Sequence, residues 1–508
     1  MIVPIRFLHQ LGAILVGTIL VAPLSAAGNI LSAETAADEV VLFAFDDRAL
    51  PFQRGLRLEL TGYTPSGQGG DVVLPPGPAG SPDVNGTYYY GSVLEVGEEL
   101  WMWYLGRGPQ NHFRVCLAKS RDGRKWTRPN LGLVEQGGNR DNNLIDLGGQ
   151  TFPVVECVVI LDRDDPDPSR RFKMVFEANH YKLRLAVATS ADGIRWKEAA
   201  NNPVGGRIEP SGLIKWLGAY YVNGQGAGSH WTPLGKESRV LSTYMSYDFE
   251  TWTQIPALGF RRDPLPPRAP IAGGENEGPQ VHLGASLWHR GNVILGFYGM
   301  WHGSPTNDSN LVPMDAGLVL SHDALHYHEP RPDFRIIEGR GVNNVRGSAA
   351  ATRAPAVAHG QGFVNRGDHT LVWFSAWVNP MAGIRLATWE RDRLGFLQPW
   401  PGSRTLPPCL ISAPVATDGR PVEIHVNAGG LAELNRLRVS VLDGRFRPLP
   451  GYNATDCTGP TSSGLRQRVT WGARDRVDAP GPIRLRVDFD GPLAEELKLY
   501  GLYVAPVR

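Results

Sequence analysis

The sequence has almost no net charge: 51 basic residues stand against 50 acidic ones, leaving +1 over 508 residues. With no chain-wide field to gather a polyanion, nucleic acid is disfavoured as a partner. Cysteine is scarce. Cys116, Cys157, Cys409 and Cys457 are the only four, and none stands in a CxxC or Cys/His spacing, so no zinc centre is expected. A glycine-rich phosphate loop, a GxSxG elbow and an HExxH pair are all missing, which removes several enzyme classes. Long apolar runs are missing too, apart from residues 11–24, which follow Arg6 and precede Ser25-Ala26-Ala27-Gly28. That layout is expected of a secretory signal peptide over residues 1–27, followed by a linker over 28–40, an uncleaved anchor being the alternative. The expected location is therefore secreted or periplasmic, with no stable membrane span after signal cleavage. In an oxidising compartment Cys409 and Cys457 could pair, whereas Cys116 and Cys157 read as small buried apolar residues.

Turn-forming residues are plentiful, with 60 Gly and 41 Pro spread along the chain. Apolar content of 42% and charged content of 20% fall in the globular range, and the length calls for two or more folded units. Many turns and short strands predict an all-β chain. The 14 Trp and 15 Tyr are read first as core residues, although an aromatic face can also cover the C–H face of a sugar.

One turn recurs. Its clearest copies are Ser120-Arg121-Asp122-Gly123-Arg124-Lys125-Trp126 and Ser190-Ala191-Asp192-Gly193-Ile194-Arg195-Trp196. Weaker ones run from Ser246 to Trp252 and from Ser321 to Tyr327, at spacings of roughly 56 to 75 residues. Each follows a β-type run (113–117, 183–188, 239–244 and 317–320) and precedes a short aromatic-led one, the signature of a hairpin. Two more strands precede each turn: 88–94 with 100–104, 154–161 with 172–176, 212–216 with 219–223, and 281–288 with 293–298. A fifth unit, over 360–365, 370–377 and 383–388, ends in a degenerate turn at 391–396. Four-stranded units repeated radially predict a five-bladed β-propeller over 41–403. From about residue 404 the alternation changes, predicting a C-terminal β-sandwich over 404–508.

The turns, together with Trp126-Thr127-Arg128-Pro129-Asn130 and Asp141-Asn142-Asn143-Leu144, resemble bacterial exported proteins with five-bladed glycosidase-like propellers. The stretches 291–303, 437–452 and 465–471 extend the resemblance over most of the chain and toward the sandwiches that follow invertase-type propellers. Resemblance to the invertase, levanase and arabinanase superfamily implies glycoside hydrolysis by acids on the first strands of successive blades. The invertase Trp-x-Asn-Asp-Pro-Asn signature is absent, and Glu156-Cys157 resembles the Glu-Cys acid of that family but falls one blade early.

Glycoside hydrolysis needs one protonated carboxyl group for the leaving oxygen and one ionised carboxylate as nucleophile or base. In a propeller, acids at the start of the innermost strands converge on the axis. The candidate catalytic residues are Asp83, Glu156, Glu209 and Glu277. Glu156 stands out because Phe152-Pro153-Val154-Val155-Glu156-Cys157-Val158-Val159-Ile160 surrounds it with apolar neighbours, where a charge needs a partner or a wet channel. Glu209, opening blade three, is expected to be the general acid and Asp83 the base or nucleophile. Glu275, His282, Trp301 and His302 are candidate substrate-binding residues. A channel calcium ion is compatible with the fold, but no loop specifies one. The expected activity is hydrolysis of a poly- or oligosaccharide; the rivals are a non-catalytic glycan-binding propeller and a sialidase-like enzyme.

Overall fold

The computed structural model describes residues 30–34, 39–65, 71–148, 152–227, 239–262, 278–303, 308–342, 353–377, 379–402 and 406–507. The expected signal segment lies outside them. The described residues form strands, turns and short 3-10 segments, with no α-helix among them.

Five sheets stand around an axis. Blade I comprises Thr87–Val96, Glu99–Arg107 and Phe113–Ser120; blade II comprises Val154–Leu161, Phe172–Ala178, Ala186–Ser190 and Arg195–Glu198. Blade III comprises Glu209–Trp216, Ala219–Ala227, Arg239–Ser246 and Ala257–Phe260. In blade IV the inner edge is split into Gln280–Val281 and Ser286–His289, followed by Ile294–Trp301, Met314–Ser321 and Arg335–Ile337. Blade V takes Val357–Arg366, His369–Ala376 and Ile384–Glu390, and its outer strand is Val72–Leu74, from far earlier in the chain. The ring is thus closed by an N-terminal strand hydrogen-bonded into the last blade.

Blade faces pack on blade faces, so the middle strands lose the in-out alternation of a half-solvated sheet. Ile294–Trp301 is buried at every position. The recurring turn explains how neighbouring blades lock together. In each of the four copies the Ser hydroxyl accepts the amide of the fourth turn residue, and Asp accepts the two amides after that: for Asp192, Ile194 N at 2.8 Å and Arg195 N at 2.7 Å. The aromatic residue then donates to the carbonyl of the fourth turn residue, as Trp126 Nε1 does to Gly123 at 3.0 Å. A tryptophan of the adjacent blade donates to that same carbonyl: Trp373 to Gly123 at 3.0 Å and Trp103 to Gly193 at 2.8 Å.

The inner strands meet at the axis and are all interrupted at one level. Registers shift between Tyr88 and Ser92, opposite Glu177 and Ala178, between Pro210 and Gly212, and between His359 and Phe363. In blade IV the interruption is complete, with Leu283 at φ +68° between the two short strands, correcting the continuous strand expected over 281–288. Glycine makes the approach feasible: a Cβ on Gly360 would sit 2.4 Å from the Gly91 carbonyl oxygen, and one on Gly212 would sit 2.1 Å from that of Ala285. Below the interruptions, Gln361 of blade V reaches blade III, accepting from Leu213 N at 2.7 Å and donating to Leu213 O at 2.8 Å.

The remaining sheets form the sandwich, with a core that includes Leu42, Leu410, Val426, Val439, Trp471, Leu485 and Leu502. One sheet contains Leu56–Leu60, Gly395–Pro399, Lys498–Pro506, Val422–Gly429 and Gly464–Arg468, with Val40–Phe43 also paired to Lys498–Pro506. The other contains Phe52–Arg54, Cys409–Ile411, Ile483–Asp490 and Arg436–Asp443. Residues 41–60 and Gly395–Pro399, expected within the propeller, therefore contribute strands to the sandwich instead. Val40–Phe43 is wholly buried there, which its apolar run requires. Cys409 and Cys457 are both free thiols, correcting the pairing considered from the sequence. Cys409 pairs along its strand with Arg54 and Asp488, whereas the Cys457 sulfur lies 3.4 Å from Val439 N in the core.

Candidate active site

Side chains from all five blades come together where the inner strands are interrupted: Tyr90 from blade I, Glu156 and Glu177 from blade II, Glu209 and Gln225 from blade III, His282 and Trp301 from blade IV, and His359 with the adjoining Trp377 from blade V. Glu156 and Glu177 are cross-strand partners in the β-bulge, so their side chains share one face of the sheet. Glu209 and Gln225 are partners in the same way. Gln225 Oε1 meets His282 Nδ1, tying blade III to blade IV. The His282 ring packs edge-on against Trp301 at 4.8 Å and Trp377 at 5.1 Å between centroids, and the Arg239 guanidinium lies 5.1 Å from the Trp301 ring.

Burial governs the electrostatics. Glu156 is pushed well above the ordinary carboxylate range by burial, then by the charges of Glu209 and Glu177. Burial and the nearby Glu209 raise Glu177 to about 8, partly opposed by Arg207. Burial also raises Glu209, but Arg239 and Arg207 both pull it back. The acids therefore differ: Glu156 has only raising influences and retains its proton more firmly, while Glu209 has two guanidinium groups favouring its charged form. Burial lowers His282 well below its usual value, helped by Arg239 and His359, and lowers His359 to about 3. Both imidazoles are neutral at physiological pH.

Among the described residues, several of these buried atoms have no well-formed hydrogen bond: Tyr90 Oη, which lies beside Trp377, Glu156 Oε2, Glu177 Oε2, His282 Nε2, both nitrogens of His359, beside the Gly360 backbone, and Trp301 Nε1. Unsatisfied buried polar atoms are uncommon, because each costs about 1–3 kcal/mol. Here they come from four different blades and mix donors with acceptors, which suits a polyhydroxylated ligand.

The sequence-derived candidates divide on this basis. Glu156, Glu209, His282 and Trp301 belong to the ring. Asp83 does not join it: its carboxylate accepts from Tyr104 Oη at 2.7 Å and forms an ion pair with Arg128 at 2.7 Å, while Ser81 donates to it at 2.9 Å. Buried Asp83 is thus satisfied by partners within blade I and the turn that follows it. His302 is held by Asp315 at 2.7 Å, and Asp315 also meets Arg335 at 3.0 Å. Glu275 and Glu277 lie outside the described residues. Tyr90, Glu177, Gln225, Arg239, His359 and Trp377 were not singled out from the sequence. For Tyr90 and His359 a signal existed, since each immediately precedes an inner-strand glycine, as Ser211 does. Glu177 lies near the end of a second strand, outside the pattern of acids on first strands. Among the described residues, no group of three His, Cys, Asp or Glu is placed to hold a metal ion.

No family model and no curated protein matches the chain by sequence. Solved structures with a similar fold include a thermostable family-43 glycoside hydrolase, at 13% identity over 66% of this chain and 99% of that one, TM-score 0.42. A glycosyl hydrolase from Bacteroides ovatus matches at 13% identity over 66% and 95% of the two chains, TM-score 0.40. A third is described in work on the GH130 family of mannoside phosphorylases and its hydrolases for β-1,2 mannosidic linkages in Candida mannan, at 14% identity over 67% and 95%, TM-score 0.42.

Proposed function

We propose that the chain is a carbohydrate-active enzyme, a glycoside hydrolase that cleaves a poly- or oligosaccharide outside the cytoplasm. The observation that carries this reading is the ring of buried polar atoms with no well-formed hydrogen bond around Glu156 and Glu209, two carboxyl groups with unequal hold on their protons. A protonated Glu156 donates to the glycosidic oxygen as the bond from the anomeric carbon breaks. The Glu209 carboxylate attacks that carbon, or takes a proton from the water that does. The sequence reading expects Glu209 as the acid and Asp83 as the base or nucleophile; here Glu156 takes the acid's role and Glu209 the carboxylate's, because Arg207 and Arg239 stand beside Glu209 and, among the described residues, no cation offsets Glu156. The neutral imidazoles and Tyr90 bind hydroxyl groups, and Trp377 offers an apolar face.

Turnover of a glycan panel by the wild-type chain and by the Glu156→Gln, Glu209→Gln and Asp83→Asn variants tests the reading. Loss of roughly 10²- to 10⁴-fold is expected for each glutamate variant. Glu156→Gln should recover on substrates with a good leaving group, since these need no proton. Asp83→Asn should alter thermal stability more than turnover. Unchanged turnover in both glutamate variants contradicts the assignment, and binding of a glycan with no product from any of the panel favours the non-catalytic rival.

A further inference from the structure

A second cavity lies on the sandwich, away from the propeller axis. It has a volume of about 300 Å³ and is lined by Arg48, Pro51, Phe52, Ala413, Pro414 and Arg484. Its charged lining is entirely cationic. Among the described residues neither Arg48 nor Arg484 has a carboxylate partner, whereas Arg438, Arg447, Arg466, Arg468 and Arg486 of the sandwich do. Arg484 is fixed in place: Nε donates to Gly444 O at 3.2 Å, a terminal nitrogen donates to Ser412 O at 2.9 Å, and the guanidinium lies 4.0 Å from the centroid of Phe446. Burial lowers its pKa with no acid opposing the effect.

The aromatic residues beside it are presented outward. Phe52 and Phe446 are 48% and 44% exposed and meet edge to face at 5.5 Å. Phe446 has φ +67°, an uncommon conformation for a bulky side chain, and is held by a turn in which Asp443 accepts the amides of Arg445 and Arg447 at 2.8 and 2.9 Å. Strained backbone that displays an aromatic ring beside a guanidinium with no carboxylate partner among the described residues is a costly arrangement for a surface with no ligand.

We propose that this cavity binds one carboxylate-bearing sugar ring of an acidic glycan. Arg48 and Arg484 provide the donors for the carboxylate, and Phe52 with the two prolines covers the C–H face of the ring. The volume lies at the lower end for ligand pockets, which suits a single ring. This site is independent of the chemistry at the propeller axis.

Calorimetric titration of the full chain with tetragalacturonate, with a neutral tetrasaccharide and with inorganic sulfate tests it. Binding of the acidic tetrasaccharide alone is expected, weakened at least ~10-fold, or ~1.4 kcal/mol, by Arg484→Gln, Arg48→Gln or Phe52→Ala. Arg48 and Phe52 are exposed, so their variants remain decisive if Arg484→Gln does not fold. Glu156→Gln should leave this affinity unchanged. The proposal is overturned by equal affinity in Arg48→Gln and Phe52→Ala, by equal binding of the neutral sugar, by displacement with equimolar sulfate, or by loss of binding in Glu156→Gln, which would place the ligand in the propeller.

Discussion

Glu177 is a carboxyl group whose partner strand already carries another at the opposite position. Burial and Glu209 raise it from an ordinary value to about 8. The folded chain therefore binds more protons than the unfolded chain between about pH 4.5 and 8. The sign follows: stability contributed by protonated Glu177 is fully present below the unfolded pKa and is lost as pH rises through the folded one. Glu177→Gln keeps the shape and removes the ionisation. Thermal unfolding should show the variant gaining on the wild type as pH is raised from 5 to 8, at a limiting slope of roughly 1.4 kcal/mol per pH unit, with no further gain above that window. A stability difference independent of pH would mean that Glu177 is ionised at neutral pH. His359, pushed down to about 3, has the converse consequence: it remains an uncharged donor and acceptor throughout this range.

At the scale of the element, the repeating turn was legible because its chemistry is local. Ser, Asp and an aromatic residue at fixed offsets satisfy amides within a few residues of themselves, so the pattern persists even where Phe249 and Ala324 replace glycine at φ +67° and +60°. The interrupted inner strands were less legible, because their cause lies in neighbouring blades. Gly212 is readable as a strand residue, yet the approach of Ala285 and Leu287 from blade IV and of the Asn223 side chain explains why it carries no side chain. Gly212→Ala is expected to destabilise the chain by about 1–3 kcal/mol and to lower turnover by displacing Glu209, measured by chemical denaturation alongside activity. Wild-type stability in that variant would show that blades III and IV can separate without cost.

For the whole molecule, two closures escaped the sequence for one reason: each joins segments hundreds of residues apart. Val72–Leu74 completes blade V, and residues 40–60 enter the sandwich, while Asp392 gathers Arg290, Asn365 at 2.8 Å and Tyr503 at 2.9 Å where the two parts meet. Hydrophobic alternation records that a strand exists, but not which distant edge receives it. The same convergence makes the site. Glu156 and Glu209 were legible as acids on first strands, whereas Tyr90, His359 and Trp377 gain their meaning only when all five blades face one point. The direct test is ligand affinity, measured by calorimetry in the Glu209→Gln background with the glycan most readily turned over by the wild type. Tyr90→Phe in blade I, Glu177→Gln in blade II and His359→Ala in blade V should each weaken binding of that single ligand by at least ~5-fold, or ~1 kcal/mol; affinity unmoved by the changes in blades I and V would contradict a site built by the whole ring.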